Sequence, residues 1–158
     1  MKNFFEIFSL PQNFALDLDA LEKQYLAFQQ QFHPDNSSTA DIEQSILIND
    51  AYKILSAPIS RASCILQLNG IDLENDSHAP KPDMATLLEI LELQEMVAEI
   101  DAGASENLKK DLNAKVKSLL SEVALELENK EFVKASQILI RVKYFDKTLR
   151  DLKAKKRS

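Results

Sequence analysis

The scarcity of glycine and the placement of proline constrain this chain more than any single motif. Only two glycines occur among 158 residues, and the last of five prolines is Pro82. Because both residue types interrupt helices, little stops a helix from running long beyond Pro82. No segment shows the two-residue alternation of a strand bounded by hairpin turn signals. The chain is therefore predicted to be all-α, with Gly70 and Gly103 each ending a helix.

Apolar spacing predicts four helices in the first part of the chain. The second and third carry apolar stripes at helical spacing, so they are expected to pack as an antiparallel hairpin with residues 33–39 as its loop. The expected spans are 4–8, a second beginning at Asp17 or Asp19, 40–56 and 58–68. The two stripes consist of Leu18, Leu21, Tyr25, Phe28 and Phe32, and of Ile48, Ala51, Tyr52 and Leu55.

The second part of the chain reads as three long helices joined by short loops. Such loops between long helices predict an antiparallel three-helix bundle. The polar, proline-bearing stretch before it is typical of a connector. The expected organisation is a first domain over 1–72, a connector over 73–83 and a bundle over 84–158, with helices near 84–100, 105–128 and 131–153.

The first bundle helix carries two apolar sectors. One contains Ile90, Leu93, Val97 and Ile100, and the other contains Leu87, Leu88, Leu91 and Ala98. One sector can face the bundle. The other is bordered by Glu92, Glu95 and Glu99, and two interpretations stay open for it: a docking surface rimmed by acids, or a face packed on the first domain.

Composition argues against several classes of function. The net charge of −6 disfavours a nucleic-acid partner, which needs a clustered basic face. No transmembrane-length segment or signal peptide is apparent, and one cysteine cannot form an internal disulfide, so no membrane partner is expected and the cytoplasm is the expected compartment. Cys64 is interpreted as a core residue. No catalytic constellation, metal-ligand pattern or phosphate-binding loop is recognisable, so neither enzymatic activity nor a cofactor is expected.

The tripeptide His33-Pro34-Asp35 stands at the end of the second predicted helix. Proline fixes its own φ, lacks a donor N–H and disfavours the helical region for the residue before it. The helix is therefore expected to stop near Phe32 and to leave His33 and Asp35 on an exposed turn that another protein can contact.

These residues together resemble a known family. His33-Pro34-Asp35, the run Asn49 to Leu55, Pro58 and Arg61-Ala62 match the J-domain, the module with which co-chaperones stimulate the ATPase of DnaK-type chaperones. The run Leu87 to Glu95 looks like the C-terminal bundle of the HscB family of iron-sulfur cluster co-chaperones. The resemblance spans nearly the whole chain.

The resemblance implies two partners and a surface for each. The J-domain would recruit the chaperone HscA, and the bundle would hold the cluster scaffold protein IscU, making the chain a regulator of ATP hydrolysis by the chaperone. The implied chaperone-binding residues are Lys23, His33, Pro34 and Asp35. The implied scaffold-binding residues are Leu87, Leu88, Leu91, Glu92, Glu95, Glu99 and Tyr144.

One departure from the family concerns charge. J-domains usually present several cations on the second helix, whereas here Lys23 stands beside Glu22 and is followed by the neutral run Gln29-Gln30-Gln31. Electrostatic steering toward an acidic chaperone surface should therefore be weak. Two other functions remain open at this point: a J-domain co-chaperone with another client, and a helical interaction protein without a chaperone role.

Overall fold

The computed structural model describes residues 3–32, 39–75 and 79–155, and within them it contains helices and no strand. The all-α prediction is confirmed. The chain forms two compact units, Met1–Gly70 and Ile71–Ser158. The helices are α1 Phe4–Ile7, α2 Leu18–Gln31, α3 Thr39–Ser56, α4 Pro58–Leu68, α5 Met84–Glu99, α6 Ala102–Glu128 and α7 Phe132–Lys155.

In the first unit, α3 is the helix against which α1, α2 and α4 pack. Asp17 caps α2 by accepting a hydrogen bond from the Ala20 N–H, 3.1 Å from its Oδ1 atom. The rings of Tyr25 and Tyr52 stack between α2 and α3 with centroids 3.9 Å apart. The helical hairpin predicted from the two stripes is thus present in the described part of the unit.

The core of the first unit contains residues from both predicted stripes. Leu21 and the α3 residues Ile48, Ala51 and Leu55 are buried. The aromatic residues of the stripes are half-buried, and Leu18 has half of its surface exposed. It is the first residue of α2 and lies at one edge of the stripe, so it contributes little to the packing of the hairpin.

Arg61 joins α4 to the rest of the first unit. Its Nε atom donates to the carbonyl oxygen of Phe14 at 2.9 Å, and its Nη1 atom donates to that of Leu55 at 2.8 Å. Its guanidinium also lies 4.9 Å from the centre of the Phe14 ring. These contacts satisfy a cation that is 7% exposed, and burial lowers the pKa of Arg61.

In the second unit, α6 and α7 pack along one another, and α5 packs on α7. The three-helix bundle is confirmed, but one boundary is not where the sequence suggested. Gly103 lies inside the first turn of α6 and ends no helix. Extended backbone at Ile100 ends α5, and Asp101 then caps α6 by accepting from the Ala104 N–H at 2.9 Å, so α6 begins three residues before the predicted start.

Candidate functional site

Helix α5 is anchored through one of its two apolar sectors. Ile90 and Leu93 are buried, and Val97 and Ile100 are half-buried. The start of the helix is fixed by Asp83, whose Oδ1 atom accepts from the Thr86 N–H at 2.8 Å. Hydrogen bonding to Thr86 lowers the pKa of Asp83, which extends the ionised state of this cap to lower pH.

The other sector of α5 presents leucine side chains to solvent. Leu87, Leu88 and Leu91 are 40, 53 and 54% exposed. Burying leucine stabilises by about 1.5 to 3 kcal/mol, so three leucines at the surface of one helix are an unused source of binding free energy. We call this set, Leu87, Leu88 and Leu91, the leucine patch.

Two methionines extend the apolar surface of α5 beyond the predicted residues. Met84 is 70% exposed and Met96 is 52% exposed. Met84 precedes Leu87 by three residues, a spacing that places it beside the leucine patch on a helix. That spacing is visible in the sequence, but a methionine at the start of a helix does not indicate whether another helix will bury it.

The predicted acidic rim is also on the surface. Glu92, Glu95 and Glu99 are all exposed, and their spacing of three and four residues places them along one line of α5. They form no ion pair with any residue that the structure describes. The rim therefore offers three carboxylates to an incoming cation.

Tyr144 comes from α7 and lies near the C-terminal half of α5. Its side chain is 38% exposed, and it lines a groove of about 380 Å³ together with Gln94, Val97 and Ala98 of α5. The structure thus brings Tyr144 to the helix that carries the other six predicted scaffold-binding residues. The remaining groove residues, which the sequence had not singled out, are Lys147, Thr148 and Asp151.

A partly exposed cluster of ion pairs connects all three bundle helices. Glu89 of α5 accepts from Lys115 Nζ of α6, and its Oε2 atom accepts from Arg141 Nη2 of α7 at 3.1 Å. Both cations also lie over the Phe145 ring, with Lys115 Nζ 4.8 Å from its centre. Burial raises the pKa of Glu89, but hydrogen bonds and charge from Lys115 and Arg141 outweigh it, so the net pKa is lowered.

The chaperone-binding prediction falls only partly on described residues. Lys23 is exposed on α2, whereas His33, Pro34 and Asp35 lie outside the described residues. Gln29, two turns further along α2, donates from Nε2 to Tyr25 Oη at 2.6 Å, and Tyr25 Oη donates to Asn49 Oδ1 at 2.8 Å. The amide of Gln29 is therefore already used within the hairpin.

Catalytic and metal chemistry find little support among the described residues. Cys64 is 4% exposed and desolvation raises its pKa, which disfavours the thiolate that a nucleophile requires. Within the ranges that the structure covers, no three His, Cys, Asp or Glu side chains are grouped to hold a metal ion. No helix in those ranges has the length and apolar content needed to cross a membrane.

Comparisons with known proteins identify the family of the chain. Residues 82–153 match the family model described as the HSCB C-terminal oligomerisation domain. A co-chaperone protein HscB homolog of Vibrio vulnificus is 32% identical, over 92% of this chain and 91% of its own length.

Solved structures extend the likeness to nearly the whole fold. The human co-chaperone protein HscB has a TM-score of 0.89 at 30% identity, over 99% of this chain and 83% of that one. The chaperone HscB from Vibrio cholerae has a TM-score of 0.82 at 29% identity, over 97% and 96%. On these grounds, the chain belongs to the HscB family of iron-sulfur cluster co-chaperones.

Proposed function

We propose that this chain binds the scaffold protein of iron-sulfur cluster assembly, IscU, and delivers it to the DnaK-type chaperone HscA, whose ATPase it stimulates. The observation that carries the proposal is the leucine patch, three leucines left exposed on a helix whose opposite sector is buried. Soluble proteins seldom expose such a patch without a partner for it. The acidic rim of Glu92, Glu95 and Glu99 would give the contact orientation.

The proposed role of the first unit rests on sequence. His33-Pro34-Asp35 would contact the nucleotide-binding domain of the chaperone, with Lys23 as an additional contact. The chaperone performs the hydrolysis, so the chain acts as an adaptor and not as an enzyme. Carrying both contacts on one chain raises their effective concentration, so each can be modest in affinity. The proposed compartment is the cytoplasm.

One alternative keeps the chaperone and changes the client. A J-domain co-chaperone for another client would stimulate the same ATPase and would not bind the scaffold. Scaffold capture by the purified chain separates the two functions, because only the proposed one predicts a complex between these two proteins alone.

The decisive experiment measures steady-state ATP hydrolysis by the chaperone with the full chain, with the scaffold, and with both. We expect the chain alone to stimulate hydrolysis, and the chain with scaffold to stimulate it more than the separate effects predict. Absence of stimulation in both mixtures would contradict the chaperone role. Stimulation that is indifferent to the scaffold, with no complex in a titration, would favour the alternative client.

A further inference from the structure

Helix α7 concentrates positive charge in a chain whose net charge is −6. Its 24 residues include seven lysines and arginines and two aspartates, whereas the 16 residues of α5 include four glutamates and no cation. Because α5 packs on α7, one bundle carries an acidic helix beside a basic one. The acidic helix has a proposed partner, and the charge of the basic helix has none so far.

Part of this positive charge forms a row near the C-terminal end of α7. The row consists of four residues at steps of four, three and three: Lys143, Lys147, Arg150 and Lys153. We call this set the basic row. At 3.6 residues per turn, these steps keep the row within about a third of the helix circumference. Lys143 is half-buried, and the other three side chains are exposed.

Two members of the basic row have carboxylate neighbours. Lys143 Nζ lies 2.7 Å from Glu74 Oε1, and Arg150 Nε lies 3.3 Å from Asp146 Oδ2. Water reaches both pairs, since the side chain of Glu74 is 80% exposed and that of Arg150 is 70% exposed, so each pair is weak. The other two members form no ion pair with a residue that the structure describes. Asp146 and Asp151 are the acids of α7, so the row keeps positive charge for a partner.

The sign of this charge indicates which partner the basic row fits. The acidic rim of α5 complements a scaffold surface that carries cations, so the row calls for a different, acidic protein. In the proposed function that protein is the chaperone. The first unit cannot attract an acidic partner strongly, because its described residues expose two cations, Lys23 and Lys53, and six carboxylates.

Resting on the proposed function, we propose that the basic row is an encounter surface for an acidic segment of the chaperone. The row attracts the chaperone through its charge, and the signature tripeptide then makes the contact that stimulates hydrolysis. The net charge of the chain does not prevent this, because charges are screened beyond about 8 Å at physiological salt and the local charge decides. The bundle thus supplies the attraction that the second helix lacks.

A double charge reversal within the row, Lys147→Glu with Arg150→Glu, tests the proposal. Lys117→Glu with Lys134→Glu makes the same change in net charge at exposed positions of α6 and of the other end of α7. A second control, Lys147→Arg with Arg150→Lys, exchanges the two side chains and keeps the charge. Association of the full chain with the chaperone is measured by stopped flow at low and high salt. ATPase stimulation, scaffold titration and melting temperature are measured beside it.

We expect the double reversal in the row to slow association about three- to tenfold at low salt and to have little effect at high salt. Stimulation at saturating concentrations of the chain should be unchanged, because the tripeptide is intact. Scaffold affinity should not fall, because the leucine patch and the acidic rim are intact. Both controls should associate within about twofold of the unchanged chain, with similar melting temperatures.

Several outcomes would overturn the inference. Equal slowing by both reversals would mean that net charge alone matters, and slowing that persists at high salt would mean that the row does not act through its charge. An unchanged rate would remove the chaperone as the partner, and weaker scaffold binding beside it would assign the row to the scaffold. In each case the proposed function stands if the unchanged chain stimulates the chaperone. If the unchanged chain does not stimulate it, the proposed function and the inference both fail.

Discussion

The exposed faces of α5 and α2 present different chemistry to a partner. α5 exposes three leucines beside three carboxylates, whereas α2 exposes one cation, Lys23, together with the acids Asp19 and Glu22, amide side chains, and the two separate leucines Leu18 and Leu26. Apolar area contributes free energy that salt hardly screens, and isolated surface charge mainly affects the encounter rate. The leucines of α5 form one patch, whereas Leu18 and Leu26 lie about two turns apart on α2. The comparison therefore indicates that a contact through α5 would be the more durable of the two.

The two faces also differ in how they are supported. α5 is fixed by a capped start, a buried sector and the Glu89 ion cluster, all within described residues. α2 is fixed by its Asp17 cap and by the Tyr25 stack and hydrogen bonds to α3. A durable contact benefits from the preorganised surface of α5, because less ordering free energy is then lost on binding.

The largest effect is expected at the signature tripeptide. We predict that His33→Gln abolishes stimulation of the chaperone ATPase, because the proposed chaperone contact of the first unit depends on His33-Pro34-Asp35. Helical content and scaffold affinity should be unchanged, since a turn position predicted to be exposed contributes little to stability. Steady-state ATPase measurements beside circular dichroism and scaffold titration test this. A folded variant with full stimulation would remove the tripeptide from the mechanism.

The next largest effect concerns the leucine patch. Replacing Leu87, Leu88 and Leu91 by alanine should cost several kcal/mol of scaffold binding, at roughly 1 to 2 kcal/mol for each leucine. The melting temperature should change little, because these side chains are 40 to 54% exposed. Calorimetric titration with thermal melts measures both quantities.

A matched control for the patch is available in the same unit. Leu125 and Val133 are 55 and 59% exposed on α6 and α7, and Leu125→Ala with Val133→Ala removes exposed apolar surface away from the patch. This variant should bind the scaffold normally. If the patch variant instead keeps its affinity and melts at a much lower temperature, the leucines belong to a core and the contrast between the two faces disappears.

The helices, and the sector of α5 that faces the bundle, were predictable because both follow from the spacing of apolar residues. Asp17, Pro58 and Asp83 mark helix starts with residue types suited to those positions, and the sectors of α5 divide as the spacing indicates. The prediction for Gly103 failed for a physical reason. A glycine just beyond a helical pattern suits either a helix end or the first turn of the next helix, and Asp101 as a cap decided the outcome.

Other features depend on tertiary contacts that one-dimensional patterns do not contain. Ser136 is fully buried, which its residue type does not predict, and its hydroxyl is satisfied locally by donating to the Val133 carbonyl oxygen at 2.6 Å. Nothing in the sequence separates Glu89 from the exposed acids of α5, yet it meets cations 26 and 52 residues away. The groove is likewise formed by α5 with α7 and has no signature in either helix alone.

A smaller effect is expected from the ion cluster that supports α5. Glu89→Gln should lower stability by about 1 kcal/mol at neutral pH, because the amide cannot pair with Lys115 and Arg141. The folded pKa of Glu89 lies below its ordinary value of 4.5, so its contribution is present above that pH and is lost as pH falls through the folded pKa. Urea unfolding at pH 7 and at pH 3 to 4 should show the difference between the two proteins shrinking with acidity. An equal difference at both values would mean that the carboxylate charge is not the stabilising element.

The smallest effect should come from adding cations to α2, which would reduce the contrast between the faces. Ala27 and Gln30 follow Lys23 by four and seven residues and so share its side of the helix, whereas Gln29 is bound to Tyr25 and is left unchanged. Ala27→Lys with Gln30→Arg should raise the rate of association with the chaperone roughly two- to tenfold at low salt, and most of the gain should vanish at high salt. Asn113→Lys with Ala114→Arg adds the same charge to exposed positions of α6 and controls for net charge. Stopped-flow association at two salt concentrations provides the measurement.

Equal gains from both pairs would show that overall charge matters and that α2 does not face the chaperone. A gain confined to the α2 pair would show that this face meets an acidic surface and that its natural lack of cations keeps the encounter slow.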